Sequence, residues 1–145
     1  MGEAYQTLNT SSGADVAYAG NIASTPTTVK FLGSSSNLTN VYHCWHSVGG
    51  YSKVSSYTGN GSTQSVSLGF QPRMVWLIPN SGHNIMFTSL QVDSNGFSKW
   101  IYPNITDLLY TGVHVANGIK LTSTGFNVGT ASQVNTSGRA YYYLA

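Results

Sequence analysis

Tyr51-Ser52-Lys53-Val54-Ser55-Ser56-Tyr57-Thr58-Gly59-Asn60-Gly61-Ser62, continued by Gly69-Phe70-Gln71-Pro72-Arg73-Met74-Val75-Trp76, decides the fold class. Val54, Ser56 and Thr58 alternate with Ser55 and Tyr57, which is the period of a strand. Gly59-Asn60-Gly61 supplies residues that tolerate positive φ and so marks a turn. Pro72-Arg73 then leads into an unbroken apolar run from Met74 that reads as a buried strand,. No side chain in the stretch has the chemistry of a catalyst.

The same rhythm extends in both directions. Strands are predicted near Thr27–Leu32, Val41–Ser47, Lys53–Tyr57, Gln64–Leu68, Met74–Ile78, Ile85–Val92, Gly118–Leu121, Phe126–Val128 and Arg139–Leu144. Turn signals fall at Gly49-Gly50, Gly59-Asn60-Gly61, Asn80-Ser81-Gly82, Ser94-Asn95-Gly96 and Ser137-Gly138,. Helical periodicity is nearly absent, with a single turn expected at Asn104–Tyr110. Gly69-Phe70, Gly96-Phe97 and Gly125-Phe126 each place an aromatic just after a turn glycine, a hairpin rhythm that anchors the next strand. Many short strands with close turns predict an all-β, single-domain β-sandwich of jelly-roll type. Residues 1–25 are small and polar and are expected to form an N-terminal arm or edge segment, with the sandwich over residues 26–145.

Composition narrows the function. Charged residues make up 7% of the 145, far below the usual quarter or so,. Polarity comes instead from 20 Ser, 15 Thr and 12 Asn. Such a surface is neutral, and it suits contact with other neutral surfaces or with sugars better than steering of charged partners. The net charge of +2 is carried by scattered cations with no basic stripe, so no nucleic-acid partner is expected,. Cys44 is the one cysteine, which leaves no intrachain disulfide,. No apolar segment approaches a membrane span and no signal pattern opens the chain.

The candidate chemistry is thin. His43 and His46 flank Cys44-Trp45, but on a strand the two imidazoles would point to opposite faces, so no metal site and no cofactor is expected. The carboxylates are Glu3, Asp15, Asp93 and Asp107. Asp93 precedes Ser94-Asn95-Gly96 and reads as a turn acceptor, and Asp107 as helix-start chemistry, which leaves no acid pair for glycoside hydrolysis. Serines are plentiful, yet no Gly-x-Ser-x-Gly elbow occurs. The expectation is therefore a protein that is not an enzyme. Aromatics are the informative group. Phe70, Trp76, Phe97 and Phe126 are assigned to the core. Tyr141-Tyr142-Tyr143 must alternate faces, so at least one ring reaches a surface. Trp45, Tyr51, Tyr57, Trp100, Tyr102 and Tyr142 are the candidates for a ligand or interface surface.

The residues from His43 through Ser52-Lys53, together with Ser56-Tyr57-Thr58-Gly59-Asn60-Gly61-Ser62, resemble a domain of bacteriophage tail and virion proteins. The resemblance continues in Gly69-Phe70-Gln71-Pro72-Arg73-Met74-Val75-Trp76. It ends in Gly125-Phe126, Val134-Asn135-Thr136-Ser137-Gly138-Arg139 and Tyr141-Tyr142-Tyr143-Leu144-Ala145. It spans roughly residues 40 to 145 and implies a β-rich phage structural domain with no catalytic residue to carry over. By that resemblance the protein is expected in the virion, after synthesis in the bacterial host cytoplasm, as a tail appendage or as a capsid or tail decoration protein. Its expected partners are other virion proteins and itself, as a homo-oligomer with a trimer expected by analogy. A short chain with its own initiating methionine and no shaft favours a decoration subunit over a distal fibre tip. The rival expectation is a receptor-binding, lectin-like module for host glycans; a glycan-degrading enzyme ranks last.

Overall fold

A computed structural model describes residues 22–24, 29–31, 45–103 and 117–145. The predicted helical turn at Asn104–Tyr110 and the first part of the predicted strand Val41–Ser47 lie outside them. The described residues form an all-β sandwich. Ten strands follow in chain order: β1 (Ile22–Ser24), β2 (Val29–Phe31), β3 (Val54–Thr58), β4 (Gln64–Ser67), β5 (Met74–Pro79), β6 (Ile85–Val92), β7 (Ser98–Ile101), β8 (Ile119–Thr122), β9 (Gly125–Val128) and β10 (Ala140–Leu144). One short helix, α1 (Ser132–Asn135), precedes β10.

A five-stranded antiparallel sheet runs in the order β3-β10-β5-β6-β7, and a three-stranded antiparallel sheet in the order β4-β9-β8. The C-terminal strand β10 is thus inserted between β3 and β5, which are far from it in sequence. A separate pair, β1 with β2, sets Ile22 against Phe31, so part of the expected arm is strand.

The core lies between the two larger sheets. Val75 and Leu77 of β5, Ile85 and Phe87 of β6, Trp100 of β7 and Tyr143 of β10 meet Ile119, Phe126 and Val128 of the small sheet, with Val134 of α1 beside them. Phe126 stands edge-on to Tyr143 at 5.3 Å, a favoured geometry for aromatic pairs,. Strand burial alternates as period two requires; β10 reads intermediate, buried, exposed, buried, intermediate, so Tyr141 and Tyr143 are inside and Tyr142 outside,.

Three expectations need correction. Trp45–Ser47 form no strand; His46 Nδ1 sits 3.1 Å from the Ser47 carbonyl, and Val48 makes an isolated bridge to Ser52. Gly49-Gly50 allows that tight reversal, which competes with an extended run. Strand β7 was not foreseen, because Ser98-Lys99-Trp100-Ile101 is too short to show a period. Of the aromatics assigned to the core only Phe126 is there: Phe70 and Phe97 are half-buried outside the core cluster, and Trp76 is not between the sheets. It lies on the opposite face of β5, since Val75 and Leu77 take the inward positions. Pro72 is fully buried in the approach to that strand.

Candidate interaction surface

Two of the stretches quoted above, Ser56–Ser62 and Val134–Arg139, come together around one buried side chain, and there they build shape. Asn135 is 1% exposed, and its side chain makes four hydrogen bonds. Its Oδ1 accepts from the Asn60 N–H at 2.8 Å and from Gln64 Nε2 at 3.0 Å. Its Nδ2 donates to the Ser62 carbonyl at 2.7 Å and to the Gly129 carbonyl at 2.6 Å. Those four bonds exhaust what a carboxamide can make, so its burial is fully compensated. The Asn135 carbonyl takes a fifth contact, from the Gly61 N–H at 3.0 Å.

Gly59 closes the same knot. Its N–H donates to the Arg139 carbonyl and its own carbonyl accepts from Gly138 N–H. A Cβ on Gly59 would collide with the Thr136 carbonyl oxygen, so the position requires glycine for close approach,. Tyr57 and Tyr141 stack below, 5.1 Å apart and nearly parallel. The Tyr57 hydroxyl donates to the Val134 carbonyl at 2.7 Å, and the Tyr141 hydroxyl accepts from the Thr136 N–H at 2.9 Å. Burial first, and the neighbouring Tyr141 second, push the Tyr57 phenol well above the ordinary tyrosine range,. That group stays protonated and donating at any physiological pH.

Asp93 behaves as its sequence context predicts. Its Oδ1 accepts from the Asn95 and Phe97 N–H groups at 2.8 and 2.9 Å, which fixes the β6–β7 turn. It is the one carboxylate among the described residues. Among those residues no group of three or more His, Cys, Asp or Glu stands together in a way that could hold a metal ion. None of their helices is long and apolar enough to cross a membrane.

The six aromatic candidates divide. Trp100 is 6% exposed and belongs to the core, where it meets Phe87 and Tyr102. Tyr57 has its hydroxyl committed in the knot. Tyr102 is half-buried against the core and touches His83. A ring that packs inward offers no face to a ligand, so these three leave the candidate surface. Trp45, Tyr51 and Tyr142 remain, at 47%, 81% and 36% exposure.

Tyr142 lies on the outer face of the five-stranded sheet and Trp45 packs against Trp76 there, while Tyr51 lies in the turn before β3. Strand register places Val54, Leu144, Trp76, Met86 and Ile101 side by side in one row across all five strands. Ser56, Tyr142 and Ile78 form the next row on one side, and Met74 with Thr88 lies on the other. Trp45 stands edge-on to Trp76 at 5.9 Å. The turn beside it is closed by hydrogen bonds: Ser52 Oγ donates to the His46 carbonyl, while Val48 and Tyr51 are exposed. The indole Nε1 of Trp76 is buried without an acceptor, so packing alone holds the ring. Nothing in the sequence marks this face, because β5 is apolar at every position and alternation is invisible in it.

The free edge of this sheet at β3 is largely closed. The paired bonds between Lys53 and Ala145 fix which β3 groups face β10, leaving Val54, Ser56 and Thr58 to face outward,. Ser47 Oγ binds both the N–H and the carbonyl of Val54, and Gln64 Nε2 binds the Thr58 carbonyl. Such capping blocks addition of another strand. A profile of the family described as a domain of unknown function, DUF7483, matches residues 3–145. No curated protein and no solved structure matches the chain.

Proposed function

We propose that this chain, which belongs to the DUF7483 family, is a non-enzymatic structural protein of a phage virion that works by attachment to other virion subunits. The observation that carries the reading is the knot around Asn135. Two of the stretches that resemble phage tail and virion domains, Ser56–Ser62 and Val134–Arg139, are bound to one another there, and their side chains serve architecture. A signature spent on shape fits a protein whose task is to present surfaces. The neutral, hydroxyl- and amide-rich composition fits subunit packing, and Val54, Trp45, Tyr51 and Tyr142 supply apolar contact area at the surface,. Tail appendage and capsid or tail decoration are both compatible with that chemistry.

A second reading has its own observation. Tyr51 at 81% exposure, with Trp45 nearby in the chain, offers rings on which a sugar could stack,. That arrangement favours a lectin-like module for host glycans. Purified phage particles, probed with antibody against this chain and imaged, test the first reading. The expected result is labelling at a fixed place and copy number per particle. Particles free of the protein would overturn it. Binding of the isolated protein to host cells, lost when surface glycans are stripped, would favour the second.

A further inference from the structure

We propose that residues 132–145, from α1 through β10, form a latch that seats after the folding barrier has been crossed and thereby acts as a kinetic lock on the closed protein. The proposal concerns the fold itself and is independent of any role in a virion. It starts from what holds β3 in place. Among the described residues β3 has one strand neighbour, β10. The Tyr57 ring stacks on Tyr141, and its hydroxyl donates to the Val134 carbonyl. Gly59 is bonded to Gly138 and Arg139, while Asn60, Gly61 and Ser62 are all bonded to Asn135. The first signature strand and its turn are therefore fastened chiefly by the latch.

Distance along the chain sets the order of events. Partners across β5 and β6 lie 8 to 14 positions apart, from Leu77 with Ile85 to Met74 with Thr88. Across β8 and β9 they lie 3 to 9 apart, from Thr122 with Gly125 to Ile119 with Val128. Across β3 and β10 they lie 82 to 90 apart, from Thr58 with Ala140 to Val54 with Leu144. The side-chain bonds of Tyr57, Asn60, Gln64 and Ser62 to Val134 and Asn135 span 71 to 77 positions. Bringing together ends about 85 positions apart is about 25 times less probable than bringing together ends about 10 apart. The hairpins accordingly form first and the latch seats on them.

The composition of the strands agrees with that order. An uncharged, hydrophobic strand left unpaired is an aggregation hazard for as long as it waits. The strands with distant partners are β3, Val54-Ser55-Ser56-Tyr57-Thr58 directly after Lys53, and β4, Gln64-Ser65-Val66-Ser67. Both are rich in hydroxyls. Strand β5, whose hairpin partner β6 follows at once, is the apolar Met74-Val75-Trp76-Leu77-Ile78-Pro79. Polar strands thus stand where pairing is late, and the apolar strand where pairing is immediate.

Seating the latch buries Val134, Tyr141 and Tyr143 and completes the four side-chain bonds of Asn135. Interactions made after the barrier do not speed folding; they slow unfolding. The latch therefore lengthens the life of the closed form, and its contribution is a rate of opening.

Stopped-flow folding and unfolding of the full chain across a denaturant series tests the proposal. Asn135→Ala should speed unfolding by about thirtyfold or more, the effect of leaving several buried groups unpartnered, with folding slowed less than about twofold. Tyr57→Phe, which removes one hydrogen bond to the latch, should speed unfolding by about fivefold. Asp93→Ala, in the local β6–β7 turn, should act the other way and slow folding by about threefold. Circular dichroism establishes that each variant is folded, and Tyr57→Phe decides the matter if Asn135→Ala is not. The proposal stands if the larger share of the latch variants' effect, on a logarithmic scale, falls on unfolding. It is overturned if the larger share for either folded latch variant falls on folding, or if the larger share for Asp93→Ala falls on unfolding.

Discussion

The two faces of the five-stranded sheet are built from the same strands and carry nearly the same hydrophobicity, yet they end in different states. The inner face is closed: Val75, Leu77 and Phe87 are at 0% exposure, and Phe126 and Tyr143 lock edge to face across the gap. The outer face keeps Trp76, Met86 and Leu144 half-buried and leaves Val54 and Tyr142 open to water. The difference teaches that apolar character by itself does not define the core of this protein. Among the described residues the three-stranded sheet packs on one face and not on the other.

Mutations that remove one aromatic ring from each face give the sharpest contrast. Phe87→Ala on the inner face should destabilise by about 3–5 kcal/mol, the cost of a cavity in a closed core. Chemical denaturation reads that loss directly, and a cost under about 1 kcal/mol would contradict the packing described. Asn135→Ala comes next. It leaves Asn60 N–H, Gln64 Nε2 and the Ser62 and Gly129 carbonyls without their partner, for an expected loss of about 2–4 kcal/mol,. Trp76→Ala should cost the isolated chain less, about 1–2 kcal/mol, because the half-buried ring was never enclosed. A loss as large as that of Phe87→Ala would erase the distinction between the faces.

The smallest effect is on pH dependence. Tyr57 is protonated in the folded chain far above the pH at which an unfolded tyrosine ionises. Below about pH 10 both states hold the proton and stability is unaffected. Above about pH 10 the unfolded chain releases it while the folded chain does not, so stability falls as pH rises. Thermal melts across that range should show a shallower fall for Tyr57→Phe than for the wild type. Equal slopes would mean that the phenol is not held as the stacked, buried geometry requires.

Much of the fold was legible in the sequence. Ile85–Val92 was read to the residue, and each of the five turn signals contains a glycine with positive φ, at Gly50, Gly61, Gly82, Gly96 and Gly138. Asp93 was legible as a turn acceptor because an Asx turn is settled by residues within four positions. The alternation of Tyr141, Tyr142 and Tyr143 followed from strand geometry. The candidate surface was half legible: Trp45, Tyr51 and Tyr142 stand at the surface, while Tyr57, Tyr102 and Trp100 turn inward. Ring type alone could not separate them, since an aromatic on a strand has the same local preference on either side.

The chain by itself determined what depends on near neighbours: strand period, glycine corners, the short reach of a side chain to its own backbone, and a surface almost without charge. Tertiary structure alone decided which side of β5 meets a second sheet, because a strand that is apolar throughout carries no phase. It also decided that Asn135, which looks like any polar residue near a turn, is the hub of four hydrogen bonds. Three of those bonds reach residues more than seventy positions away, to partners that adjacency cannot reveal.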